Sequence, residues 1–332
     1  MNVCYDFAER KIVYIIIKEN REEKLMKLSQ TNGPLFHFFN DDLHSTLVTL
    51  KNAGFKYIDL SFWSRYKSGS PYFTTDNQVI ADEYKRELEA LELIPVQSHE
   101  PFGNSMGNDG GKFYFKKTPL SIDLAGKIGI PSITLHAGLE ITPMTREEYM
   151  EKTAEIFRQL IPCAEKYGTR LLIENTSWKV DGIHLANADD LNEILDRIDH
   201  PLFGVCWDTG HANLCNLNQY DELVKLGSRL EGLHVHDNLG GIQAPNCDMH
   251  QPPFYGNVNF DAVIQALLDI GYKGTFNFEA DSPVFRNVIP FVKDGAEQTK
   301  LKMMPVALRQ KAEAYLYEIG KQMLEAYGCF EE

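Results

Sequence analysis

Positive charge is scarce in this chain. Lys and Arg total 33 against 47 Asp and Glu among 332 residues, a net charge of −14. That balance repels polyanions and counts against a nucleic-acid duplex or an acidic membrane surface as partner, while leaving room for a small anion held locally. Long apolar runs are missing as well. Ile12 to Ile17, the longest near the start, falls far short of the roughly 20 residues a membrane span needs. Asp6, Glu9, Arg10 and Lys11 ahead of it do not make the basic start of a secretory leader. Cysteine is sparse: Cys4, Cys163, Cys206, Cys215, Cys247 and Cys329 form no CxxC pair. This excludes a dense disulfide framework and reads as the reduced thiols of a cytoplasmic protein. No GxGxxG follows the first strand, so a dinucleotide-binding open sheet loses support.

What remains is an ordinary globular mixture, 43% hydrophobic and 24% charged, with one repeating rhythm. Short apolar, β-branched runs alternate with amphipathic stretches. Strands are expected at Lys27–Gln30, Tyr57–Phe62, Ile94–His99, Ser132–His136, Arg170–Glu174, Phe203–Asp208, Gly232–His236 and Thr275–Glu279. Helices are expected at Asp42–Asn52, Asp76–Glu92, Lys116–Ile128, Arg146–Tyr167, Ala188–Ile198, Leu217–Leu226, Phe260–Ile270 and Pro305–Tyr327. Asp41, Thr145, Asn187 and Asn259 stand where a side chain can cap free N–H groups, and Gly54, Gly168 and Gly271 mark helix exits. Eight such alternations fit a single-domain (β/α)8 TIM barrel spanning residues 26–332 better than an open sheet. Residues 1–25 stand outside the rhythm as an N-terminal extension, and their removal is expected to leave a folded, active protein.

The chemistry lies in what ends the strands. In such a barrel the C-terminal strand ends and following loops form the active site. Strands three to eight end in or carry His99, His136, Glu174, Asp208, His234 and Glu279, with His211, Asp248 and His250 in the loops. The steps from His99 to His136, Glu174 and Asp208 are 37, 38 and 34 residues, one βα unit each, so each step returns the chain to the same rim. One histidine at a strand end is usually a packed residue. Six successive strands ending in metal-capable groups instead point to a divalent ion held by imidazole and carboxylate, such as Zn, Mn, Co or Mg.

The blocks Leu-Leu-Ile-Glu-Asn-Thr (171–176), Trp-Asp-Thr-Gly-His-Ala-Asn (207–213), Leu-His-Val-His-Asp-Asn (233–238) and Asn-Phe-Glu (277–279) resemble the xylose isomerase-like TIM-barrel superfamily. That group includes sugar-phosphate isomerases and epimerases, tagatose/psicose 3-epimerases, inositol-catabolism enzymes and endonuclease IV. Carried over by position, the resemblance implies one ion held by Glu174, Asp208, His234 and Glu279. The two glutamates would also be the catalytic acid/base pair, and His211 would touch a substrate oxygen. The implied reaction is isomerisation or epimerisation of a sugar or sugar phosphate through a metal-stabilised enediolate. Two carboxylates on opposite faces of the substrate would invert a centre, whereas one face serving neighbouring carbons would interconvert aldose and ketose.

His99, His136, His211, Asp248 and His250 match the extra positions that hold three zinc ions in endonuclease IV, and so offer ligands for additional ions. A metal-dependent phosphodiesterase is therefore an alternative, opposed by the acidic balance and the absence of a basic stripe along the rim loops. Hydrogen bonds from His99 and His136 to sugar hydroxyls are the milder explanation. A barrel that binds carbohydrate without turning it over stays open too. Trp63, after strand two, and Trp178, after strand five, could cover the mouth and pack on a sugar, or simply close the barrel top. His236 shares a strand face with His234 and is a substrate-contact candidate; Asp237 is a candidate for orienting an imidazole, and Trp207 reads as core. The expected partner is a small sugar or sugar phosphate, with no nucleic acid and no membrane, and the chain is open to homo-oligomers.

Overall fold

A computed structural model describes residues 25–331 apart from 63–64, 67–69, 102, 108, 110, 139–142, 177–184, 242–246, 282–290, 299 and 301–303. Eight parallel strands form the barrel: β1 (Met26–Thr31), β2 (Tyr57–Ser61), β3 (Ile94–His99), β4 (Ser132–Leu135), β5 (Arg170–Glu174), β6 (Phe203–Asp208), β7 (Leu230–His234) and β8 (Thr275–Phe278). They pair in chain order from β1 to β7, and β8 closes the ring by pairing with β1, Lys27 opposite Thr275 through Gln30 opposite Phe278. The seam between β7 and β8 is narrow. There Val235 bridges Phe278, donating its N–H to Asn277 O at 2.8 Å and accepting from Glu279 N at 3.2 Å. A short strand at Phe330–Glu331 adds to the start of β1, with Met26 N donating to Cys329 O at 2.7 Å. The chain is a (β/α)8 TIM barrel.

The helices between strands are α1 (Gly33–Phe38), α2 (Leu43–Ala53), α3 (Asn77–Ala90), α4 (Lys112–Ile128), α5 (Arg146–Arg158), α6 (Ile161–Glu165), α7 (Ala188–Ile198), α8 (Thr209–Leu214), α9 (Gln219–Leu226), α10 (Phe260–Ile270) and α11 (Val306–Ala326). Thr145, Asn187 and Asn259 cap as expected, Thr145 in a reciprocal box with Glu148. Asp42, not Asp41, caps α2, accepting from Ser45 N at 2.6 Å. The expected single helix over 146–167 is two. Pro162 lacks the N–H that would continue the ladder, and the chain turns at Gln159–Leu160. Among the described residues no helix is long and apolar enough to cross a membrane.

Strand alternation sorts the interior into two chemistries. Facing the helices are Ile58, Leu60, Leu171, Ile173, Val205, Trp207, Leu233, Phe276 and Phe278, all fully buried. Trp207 donates its indole N–H to Gln219 of α9 at 2.8 Å, as a core residue in that layer should. The other phase points into the barrel and is mostly polar: Ser29, Asp59, Gln97, His99, Glu174, Asp208, His234 and Asn277, also buried, with Leu172 and Cys206 among them. Burying each large outward side chain contributes about 1.5–3 kcal/mol, which offsets the cost of the polar interior.

Candidate metal centre and active site

The inward phase delivers its ionisable groups to the C-terminal rim. His136 and Glu279 lie one residue beyond the ends of β4 and β8, and the other strand-end groups close their strands. The Asp-Thr-Gly-His block is a strand running directly into a helix. Asp208 ends β6 and caps α8, its Oδ1 accepting from His211 N at 2.5 Å, while Asn175 braces it by accepting Asp208 N at 2.6 Å. Gly210 is required by packing, because a Cβ there would lie 1.9 Å from His236 Cε1.

Ten side chains form one connected ring. Glu174 is its hub, with Oε1 2.9 Å from His234 Nδ1 and 3.5 Å from His211 Nδ1. Its Oε2 lies 2.8 Å from His136 Nε2 and 3.6 Å from His99 Nε2. Glu279 Oε2 approaches the same His234 Nδ1 at 3.2 Å. On the loop side, Asp248 Oδ2 is 3.3 Å from both His211 Nε2 and His250 Nε2. His236 joins the halves: its Nε2 lies 2.9 Å from Asp208 Oδ2, and its ring stacks on His250 at 4.0 Å. Every group proposed from the sequence that falls in the described residues, apart from Asp237, is thus in the ring. Trp63 and Trp178 lie outside the described residues. Asp237 does not orient an imidazole; it accepts backbone N–H groups from Asn238, Gly256 and Val258 at 2.9–3.0 Å and pins the loop after β7.

Among the described residues four overlapping ligand sets emerge whose donor atoms lie within 4.8 Å of one another: Glu174, Asp208, His234 and Glu279; His99, His234 and Glu279; His99, His136 and Glu174; and His211, His236, Asp248 and His250. Two ligands bound at about 2.0–2.1 Å to one tetrahedral ion sit about 3.3 Å apart, the spacing these pairs approach. Asp248 Oδ1 and His236 Nδ1 are also buried without a hydrogen-bond partner. Mixed nitrogen and oxygen donors with orphaned lone pairs fit a divalent ion.

Burial opposes charge at each of these groups, and the neighbours of opposite sign prevail. His234 and His136 hold Glu174 well below the usual carboxylate range, and His250 and His211 do the same for Asp248. His211 and His236 lower Asp208. Glu174 and Glu279 push His99 up to about 9, and Asp208 with Asp248 push His211 up to about 10. Without an ion, the ring balances its carboxylates with protons on imidazoles.

Two buried acids in this neighbourhood carry no sequence motif. Asp59 of β2 lies 3.8 Å from His234 Nε2. Glu100 accepts His136 N at 2.7 Å and the Thr118 hydroxyl at 3.0 Å, tying the ends of β3 and β4 to α4. Their one signal is a carboxylate in or just after an apolar strand, as in Tyr-Ile-Asp-Leu-Ser.

The model of the xylose isomerase-like TIM barrel family matches residues 47–300. The chain belongs to that family. Among relatives, the uncharacterized protein y4fM of Sinorhizobium fredii is 24% identical over 307 residues, covering 83% of this chain and 93% of that one. Inosose dehydratase 2 of Bacillus cereus is 25% identical over 151 residues, 42% of this chain and 49% of that one. Among solved structures, a D-tagatose 3-epimerase-like protein superposes with a TM-score of 0.67 at 20% identity, covering 91% of this chain and 98% of that one. The IolI protein with a zinc atom gives 0.67 at 16%, covering 91% and 99%. The D-allulose 3-epimerase of a Methylomonas species in complex with D-allulose gives 0.63 at 15%, covering 90% and 98%. The family's neighbours are thus sugar epimerases and isomerases, with dehydratases among them.

Proposed function

We propose that this protein is a divalent-metal-dependent isomerase or epimerase of a sugar or sugar phosphate, working by proton transfer at a carbon beside a carbonyl. The observation that carries the reading is the approach of Glu174 and Glu279 to one imidazole nitrogen, His234 Nδ1, at 2.9 and 3.2 Å, with Asp208 in the same ligand set. Glu174, Asp208, His234 and Glu279 would hold the ion, whose charge, when bound, favours loss of the neighbouring proton. Glu174 and Glu279, carboxylates from strands on different sides of the rim, take the proton from one face and return it on the other. His211 and His236 would orient substrate oxygens. The zinc in IolI and the D-allulose in the Methylomonas enzyme support an ion and a sugar in this pocket. Removing such a proton is also the first step of dehydration beside a carbonyl, which accommodates the dehydratase relatives.

The test is solvent deuterium exchange. Metal-loaded protein in D2O with a panel of ketoses, ketose phosphates and inososes is expected to label one carbon next to the carbonyl, read by NMR. Glu174→Gln and Glu279→Gln are expected to abolish the label. Label that persists in both variants would overturn the roles assigned.

A second reading, a phosphodiesterase, is favoured by the sets His99–His136–Glu174 and His211–Asp248–His250, which add places for two more ions. Three ions per chain together with cleavage of a duplex containing an abasic site would establish it. One tightly held ion and no cleavage support the isomerase reading.

A further inference from the structure

His234 faces two ways. Its Nδ1 meets Glu174 and Glu279, while its Nε2 points back into the barrel, buried and without a hydrogen-bond partner. Two groups stand behind it: the Cys206 thiol on β6 and Asp59 on β2, whose Oδ2 is 3.8 Å away. Asp59 is the end of a buried chain that links the three adjacent strands β1, β8 and β2. Ser29 Oγ donates to Asn277 Oδ1 at 2.8 Å, and Asn277 Nδ2 donates to Asp59 Oδ2 at 2.9 Å. Asp59 Oδ1 has no partner. An imidazole nitrogen without a partner therefore stands 3.8 Å from a buried carboxylate that has one oxygen held by Asn277 and the other unfilled, and buried groups of this kind normally find each other.

An imidazole that gives its Nδ1 lone pair to an ion must carry its proton on Nε2, and that buried N–H needs an acceptor. A carboxyl oxygen is a far better acceptor than a thiol sulfur. We infer that Asp59 is a positioning residue: it accepts His234 Nε2–H and so fixes the ring with Nδ1 presented to the ion, while Asn277 and Ser29 hold Asp59 in place. The inference rests on the proposed Glu174–Asp208–His234–Glu279 ion site and adds a residue outside that set. Asp59 touches neither ion nor substrate.

The test is a cobalt(II) titration of the full chain followed by its visible d–d absorption, with Asp59→Leu, Asp59→Asn and Cys206→Ala beside the wild type. Asp59→Leu is expected to weaken the tightest site by about 10–100-fold and to change the d–d band. Asp59→Asn, which keeps an acceptor oxygen, should recover most of the affinity, and Cys206→Ala should stay within about three-fold of wild type on the same acceptor-strength argument. The metal-free melting temperature of Asp59→Leu should not fall in step with its affinity. Wild-type affinity and spectrum in Asp59→Leu would overturn the inference, as would equal losses in Asp59→Leu and Cys206→Ala. Should Asp59→Leu fail to fold, the band of Asp59→Ala, which removes the acceptor without adding bulk, decides: a shift absent from Cys206→Ala supports the role, and an unshifted band refutes it. A wild type that binds no cobalt refutes the ion site itself and this role with it, an outcome distinct from the others.

Discussion

Trp207 and Asp208 are neighbours on β6 and opposites in chemistry. Trp207 is buried in the layer between barrel and helices, its only polar atom satisfied by Gln219. Asp208, equally buried, points into the barrel among His211 and His236. The same division runs through Ile173 and Glu174 and through Leu233 and His234. One phase of each strand is chosen for packing and loses nothing by being dry. The other gathers charges whose lone pairs are only partly filled, which costs stability and makes sense as preparation for an ion. The two phases should therefore fail differently when altered.

The largest contrast is expected at Glu174. Glu174→Gln should lower the deuterium-exchange rate by about 10³-fold, within the range of acid/base contributions, while any stability the metal-free chain loses should shrink as the pH rises and the imidazoles around position 174 shed their protons. Ile173→Ala, one residue away, should do the reverse. It should cost about 2–5 kcal/mol in a urea melt by leaving a cavity, yet leave the exchange rate of the folded protein within a few-fold of wild type. A Glu174→Gln chain that loses stability as Ile173→Ala does would erase the distinction.

Metal and pH sharpen it further. An ion that binds only the folded rim should raise the unfolding free energy by about 2.7 kcal/mol at a hundred times its dissociation constant, seen as a melting temperature that climbs with zinc concentration. His99 and His211 titrate near 9 and 10 in the metal-free ring, above the usual imidazole value of 6.5. Their stabilisation is complete below about pH 6.5 and fades as the pH rises through 9 to 10. Metal-free protein should thus lose stability over that window. Ion binding, which needs the His234 lone pair free and is opposed by the positive charge on His99 and His211 beside the site, should tighten across the same window. Affinity that does not change between pH 6.5 and 9 would contradict the protonated ring.

The smallest effect is expected on the outer shell. Lys51 reaches Glu92 there at 3.7 Å, and Arg158 reaches Glu151 at 3.2 Å. These are exposed pairs of the kind that contribute little. Lys51→Ala should shift the melting temperature by about 2 °C or less and leave exchange untouched.

The two phases also explain what could be read in advance. Eight strands, three of the four helix caps and the convergence of nine of the ring's side chains, as candidate ligands, were legible because parallel strands repeat an apolar pattern, and because chemistry-bearing residues recur at their ends one βα unit apart. His236 was legible only as a substrate contact; that it joins Asp208 to His250 depends on ring stacking, which strand alternation does not reveal. Asp59 and Glu100 were invisible, since one carboxylate near an apolar run looks the same whether it faces solvent or a buried imidazole. The break between α5 and α6 was signalled by Pro162, but the amphipathic pattern continued across it and concealed the turn.

Anomalous diffraction from zinc-loaded crystals, recorded on either side of the zinc absorption edge, tests the central claim most directly. A peak bounded by Glu174, Asp208, His234 and Glu279 is the expected result. Zinc bound elsewhere, with no anomalous density among those four side chains, would contradict it.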